Sequence, residues 1–539
     1  MKITKILKEE LFRYKSGLFF LFTLQLLQVI SRTLLPYITG QFADVLLEKA
    51  LHKIQIAIIL FFIIAVIEVV STYYACVIRI GYKERVSANL NERIVRFLHR
   101  VSLLQIQRRN AVSLSKQIAM DSEMSVALIC DFLLAIVFGI VTILISVGMV
   151  LYTNILAIAQ IFIITLIYIV VYFVFKEKIS KNTREFRDAQ SFFFARQTEQ
   201  LSKSKLIRVN AAMDFFHNRT MDAVEKLVDK STNMARVSEG FKQTVAMLNR
   251  VATAMLFVLA GVMVWNGSLS IGDFMIINAY YNIILQETNE LSEAISYYRQ
   301  THASLERLEE ILDMQQEQDG KAELDGVSSI SVKNIDFSYD GNTKILSKLD
   351  LHLKKGEIYI LKGANGRGKS TLINIITGLY RSYNGKIYYD EQELRELNQE
   401  LLRKRWLSFA EQEPMLVQGS LRDNIMLGIN REVSDEEIIK YMNKFGMTEF
   451  LQKQKNGLDT IWESQQEGLS GGEKQKIAII RSLLKDSDVM VFDEPTSALD
   501  VSSIEIFKTI LETIRDNKII LIITHDESLR TLDHKEVIL

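Results

Sequence analysis

The sequence is poor in cysteine and proline: 539 residues hold two and three of them, with three tryptophans. Cys76 and Cys130 both sit inside apolar runs, which argues against a disulfide framework or a cysteine-built metal site. Net charge is lacking as well, because Lys plus Arg and Asp plus Glu both total 64. A chain without a basic excess gives no footing for a nucleic-acid partner. The most informative shortage is local. From Phe132 to Phe175, 44 residues pass without an Asp, Glu, Lys or Arg.

A helix that crosses a bilayer takes about 20 apolar residues. That run therefore predicts two spans joined by a tight turn at Tyr152-Thr153-Asn154. Gly17 to Thr39 is a further apolar run broken by Arg32, and Ile54 to Ile78 is one broken by Glu68. With Val251 to Gly272 and the shorter Phe274 to Gln286, six spans are expected, at about 17–39, 54–78, 125–151, 155–175, 248–266 and 270–290. No small-residue cleavage site follows the basic start MKITKILKEELFRYK, so the first span is expected to be a retained anchor.

Basic residues set the expected orientation. They crowd the N-terminus (Lys2, Lys5, Lys8, Arg13, Lys15), the segment after the second span and the segment from Lys176 to Lys242. The short connections "YTN" and "NGSLS" carry none. Both termini and both long loops are thus expected in the cytoplasm of a multi-pass protein. Residues 79–124 and 176–243 contain no proline and almost no glycine, and they keep periodic apolar positions. They predict long helices continuing beyond the bilayer.

The character changes near residue 318. Residues 318–327 read as a polar linker, and from Ser328 β-rich segments alternate with helices. The expected fold class is a multidomain membrane protein. An all-α, six-helix transmembrane domain (1–317) with long cytoplasmic extensions precedes an α/β P-loop NTPase domain (328–539).

"EIYILKGANGRGKSTLINIITGL" places a strand, a glycine loop and a helix in the order that a phosphate loop needs. Gly363, Asn365, Gly366 and Gly368 let the backbone curl round phosphates, and Thr371 follows in the helix. Lys369 would neutralise the β/γ oxygens, and the Ser370 hydroxyl would ligate Mg²⁺. "VMVFDEPTSALD" ends a hydrophobic strand in Asp493, suited to anchoring Mg²⁺, and Glu494, suited to polarising the attacking water. A third strand, "IILIITH", ends in His525 at an edge where ligands bind. ATP and Mg²⁺ are the expected ligands.

"LSGGE", Leu469 to Glu473, is similar to the signature of ATP-binding-cassette (ABC) transporters, and residues 328–539 resemble that family's nucleotide-binding domain. The membrane half resembles exporters with six spans ahead of one such domain, through "LLQIQRRNAVSLSKQIAMDSEMSVAL" and "ASLERLEEILD". The resemblance implies an ABC-type domain in which Tyr339 stacks on adenine and Gln412 contacts Mg²⁺ or the water. It also implies that Ser470, Gly471 and Gly472 bind the γ-phosphate of an ATP held by another chain, with Asp500 at the seam and His525 as a switch. Two copies, or this chain and a sister chain, would then form a dimer that hydrolyses ATP to drive export. The sequence departs from the family at Glu473, where glutamine is usual, and at Glu463-Ser464-Gln465-Gln466.

Gln25, Gln28 and Arg32 share one face of the first span, and Asn278, Asn282, Gln286 and Asn289 form a stripe on the sixth. They either line a cavity for a peptide or another amphipathic cargo, or hold the bundle together. A lipid flippase, a multidrug exporter and an ATP-gated sensor without transport are the alternatives.

Overall fold

The computed structural model describes residues 2–539 apart from 318, 365 and 463–468; nine side chains, at 156, 157, 292, 293, 295–297, 299 and 300, are also outside the description. The degenerate segment Glu463 to Gln466 and the predicted phosphate-loop residue Asn365 therefore lie outside the described residues. The chain divides into two compact units, Met1–Ile94 with Ser115–Leu312, and Val95–Leu114 with Asp313–Leu539.

The first unit is helical throughout its long elements. Within hydrocarbon every peptide group must find its partner inside the chain, and a helix does this locally. Among the described residues five helices are long and apolar enough to cross a membrane, starting with Lys15–Glu48 and Leu51–Leu98. The sixth expected stretch falls in the helix Ile271–Leu312. Phe62, Val69 and Leu144 are exposed on these helices, the arrangement expected where lipid is the solvent. The helix Met213–Trp265 has 53 residues, and at 1.5 Å per residue it is about 80 Å long, far more than a bilayer takes.

Close approach fixes the pairing of Lys15–Glu48 with Ile271–Leu312. A Cβ on Gly40 would lie 2.6 Å from the carbonyl oxygen of Gly272, and one on Gly272 would lie 2.3 Å from that of Gly40. Only glycine fits both sides of the crossing. There Asp44 accepts the Gly272 N–H at 2.8 Å and the Ser270 hydroxyl at 2.7 Å, capping the start of the second helix. Pro36, inside Lys15–Glu48, removes one N–H from the helical ladder. In that region the buried Tyr280 donates its hydroxyl to the Thr33 carbonyl at 2.6 Å.

In the second unit a five-stranded parallel sheet runs in the order Lys535–Ile538, Glu357–Lys362, Ile519–Ile523, Val489–Asp493, Leu407–Ala410. The runs Val489–Asp493 and Ile519–Ile523 are buried at every position, as parallel strands covered on both faces must be. A second, antiparallel sheet joins Lys344–Lys354, Ser329–Ser338, Asn384–Tyr389 and Gln392–Glu393. The short helix Leu103–Gln107 belongs to this unit, its Leu103 and Leu104 packing against the apolar core.

Candidate functional site

Parallel strands end at one edge, so side chains just past their last residues converge however distant they are in sequence. Lys362, Ile523, Asp493 and Ala410 close four adjacent strands here. The residues that follow or end them meet in a cleft of about 470 Å³ lined by Lys369, Ser370, Gln412, Asp493, Glu494 and His525. Gly366, Gly368, Thr371 and Tyr339 complete its predicted members.

Gly368 has φ +93°, in the left-handed region, and a Cβ there would come within 2.9 Å of Ile345 and Leu346. Glycine is thus required both by conformation and by space. It places the start of the helix Lys369–Ile376 at the cleft. Lys369 Nζ donates to the Gly363 carbonyl at 2.7 Å and lies 3.0 Å from His525 Nε2. His525 Nε2 is 3.8 Å from Glu494 Oε1. Glu494 itself has φ +45°, an uncommon conformation for a residue with a side chain, fastened by its N–H to the Ile523 carbonyl at 2.9 Å. Such strain gathers where a side chain must be aimed.

Ser370 Oγ donates to Asp493 Oδ2 at 3.2 Å. Burial pushes the Asp493 carboxyl above its ordinary range, so an ionised Asp493 wants a nearby cation. Hydroxyl, carboxylate and the Gln412 amide are hard oxygen donors, which fits Mg²⁺ shared with phosphate oxygens. Among the described residues no cluster of three His, Cys, Asp or Glu could cage a metal unaided.

Tyr339 is 41% exposed and braced edge-on by Phe337 and Tyr380 at 5.0 and 6.0 Å. Its hydroxyl meets Thr371 Oγ1 at 2.8 Å. Two neighbours escaped the sequence reading. Arg108 donates to the Tyr339 carbonyl, and Tyr380 donates to Gln107 Oε1 at 3.1 Å. No pattern singles out one arginine in a basic segment.

Ser470, Gly471, Gly472 and Asp500 do not line this cleft. Ser470 caps the helix Gly471–Lys485 in a reciprocal box: its Oγ accepts the Glu473 N–H at 3.2 Å, and Glu473 Oε2 accepts the Ser470 N–H at 2.7 Å. A Cβ on Gly472 would meet the Ala498 carbonyl oxygen at 2.6 Å. Asp500 caps Val501–Ile514 and pairs with Lys476 at 2.8 Å; these contacts hold its carboxyl well below the usual range. The signature helix and the Ser497 to Asp500 loop are thereby fastened to each other, outside the lining of the cleft.

In the membrane unit, Gln25, Gln28 and Arg32 line a cavity of about 290 Å³ together with Arg79, Glu287 and Glu290. Arg32 and Glu287 pair at 2.5 Å. On the sixth span Asn278 and Asn282 do not line it, and Asn282 instead donates to the Asn278 carbonyl.

The family model for the ABC transporter transmembrane region matches residues 18–288, half of the chain, and the ABC transporter model matches 346–497. The chain belongs to the ABC transporters. Among its ABC relatives, an ATP-dependent lipid A-core flippase of Mannheimia succiniciproducens is 31% identical over 312 residues, 56% of this chain and 53% of the relative. A β-(1→2)glucan export ATP-binding/permease protein of Agrobacterium vitis is 28% identical over 286 residues, 52% and 49% of the two chains. The chain spans about half the length of these two relatives. A lipid A-core flippase of Haemophilus influenzae is 26% identical over 463 residues, 84% and 78% of the two chains. The solved structure of a bacterial Atm1-family ABC exporter with ATP bound shares the fold, with a TM-score of 0.83 at 19% identity over 97% of this ABC chain and 93% of that one.

Proposed function

We propose that this ABC transporter exports an amphipathic cargo, driven by ATP hydrolysis in a homodimer, from a bacterial inner membrane with both termini in the cytoplasm. The observation that carries the reading is the single cleft gathering Lys369, Ser370, Gln412, Asp493, Glu494 and His525. Lys369 neutralises the β/γ oxygens, Glu494 orients and polarises the attacking water, and His525 holds the γ-phosphate side of the cleft. Mg²⁺, when bound through Ser370, Asp493 and Gln412, offsets charge on the phosphate oxygens. The capped signature helix offers N–H groups to the ATP of a second copy, so each site needs both chains. Closure on two ATP molecules and release after hydrolysis shift the membrane half between inward and outward openings.

For the cargo, the flippase and glucan-exporter relatives favour a lipid-like or glycan-bearing amphiphile over a peptide. The test is turnover by the purified chain in proteoliposomes. Glu494→Gln is expected to bind ATP and lose at least about a hundredfold in hydrolysis; full turnover in that variant overturns the assignment.

A further inference from the structure

The membrane unit holds a second, larger cavity of about 810 Å³, walled by residues 120–124, 172–191 and 303–307 of three long helices. Its lining carries four cations, Lys176, Arg184, Arg187 and Arg307, against one carboxylate, Asp121. Asp121 is 3% exposed and is gripped by Arg307, whose Nε donates at 2.9 Å with a second contact from Nη2. That pair cancels, and three positive charges remain. Arg184 and Arg187 have no ion-pair partner among the described residues, and the adjacent Glu185 is taken by Lys230 at 3.0 Å. Lys176 lies over the Phe173 ring, 5.4 Å from its centre.

Arg184 and Arg187 stand three residues apart on one helix, where like charges repel. Guanidinium groups so placed match the oxygens of phosphate or carboxylate. The cavity is not polar throughout, because Met120, Met124 and Ile179 share the lining. Lys176 is the first charge after the 44-residue run that ends at Phe175, so that end of the lining lies where hydrocarbon gives way to headgroups, with Arg184 and Arg187 about two to three helical turns further on. We infer that this cavity receives the anionic, phosphate-bearing head of an amphiphile, with Arg184 and Arg187 on the phosphate, Lys176 at the membrane end of the lining, and the methionines against the first part of its apolar chain. The inference names the cargo class on the exporter reading above.

The experiment is calorimetric titration of the full chain, in neutral detergent without nucleotide, with dodecyl phosphate. The parent is expected to bind it, and R184Q/R187Q at least about tenfold more weakly. R184K/R187K should recover most of the affinity, since it restores charge. K178Q, a neighbouring lysine outside the lining, should bind as the parent does. Equal affinity in R184Q/R187Q overturns the site. Displacement of dodecyl phosphate by an equal concentration of inorganic phosphate overturns the amphiphile and leaves a soluble anion as the ligand. Because nucleotide is absent, failure here leaves ATP-driven export standing, and the Glu494→Gln assay tests that reading separately.

Discussion

Glu473 is the third residue of the signature helix, and its carboxylate closes the capping box on Ser470. The pattern Ser-x-x-Glu spells such a box in the sequence, so the unusual glutamate is legible as a cap once it is read by spacing rather than against the family. Glutamine can make the same contact. Glu473→Gln is therefore expected to keep ATP turnover within a few-fold of the parent, whereas Glu473→Ala loses the cap, at about 1 kcal/mol of helix stability. On the proposed two-chain assembly, Ser470→Arg would fill the space left for the second copy's γ-phosphate and should abolish turnover. A collapse in Glu473→Gln would give the carboxylate a part beyond capping. The cleft residues were legible for a different reason: phosphate and Mg²⁺ chemistry admits few residue types at fixed offsets. Glu494 was named from its place after a strand, but its left-handed backbone was not legible, since that depends on the Ile523 carbonyl 29 positions away.

At the scale of elements, hydropathy and charge spacing located the long helices, because lipid leaves the backbone no alternative to helix over charge-free runs. How those helices pack was not legible. The crossing at Gly40 and Gly272 joins residues more than 200 positions apart, and nothing in either run announces it. Asp44→Ala should expose its dependence on the cap at Gly272, lowering stability by about 1 kcal/mol with unchanged ATP affinity, as a detergent-phase melting curve would register. In the second unit, Lys485 is largely buried, and burial pushes it down to about 8 from an ordinary 10.5. The folded state thus favours the neutral amine, and its contribution to stability grows as pH rises from about 8 through 10.5. Lys485→Met should flatten that part of the stability–pH curve of the full chain; an unchanged slope would place the titration elsewhere.

For the whole molecule, the two phosphate devices decide the assembly that we propose. If each ATP needs the loop of one copy and the signature of another, chains carrying Ser470→Arg and chains carrying Lys369→Ala are each inactive alone. A mixed dimer contains one site with both defects and one with neither. Random equimolar pairing should then restore about a quarter of the parent's sites. Turnover that stays at zero would mean that two intact sites are needed per cycle; turnover in Ser470→Arg alone would mean that one chain suffices, and turnover in Lys369→Ala alone would overturn the role given to that lysine.

The segment Val95–Leu114 leaves the membrane helices to join a unit whose other residues begin at Asp313. Leu103 and Leu104 are partly buried against a core whose members, Val327 to Ile523, are translated more than 200 residues later. While the ribosome works through the later spans, this short helix waits with its apolar face uncovered. Biogenesis therefore has a vulnerable interval, and a nascent chain released near residue 312 should be drawn to chaperones and proteases through leucines that the finished protein half buries.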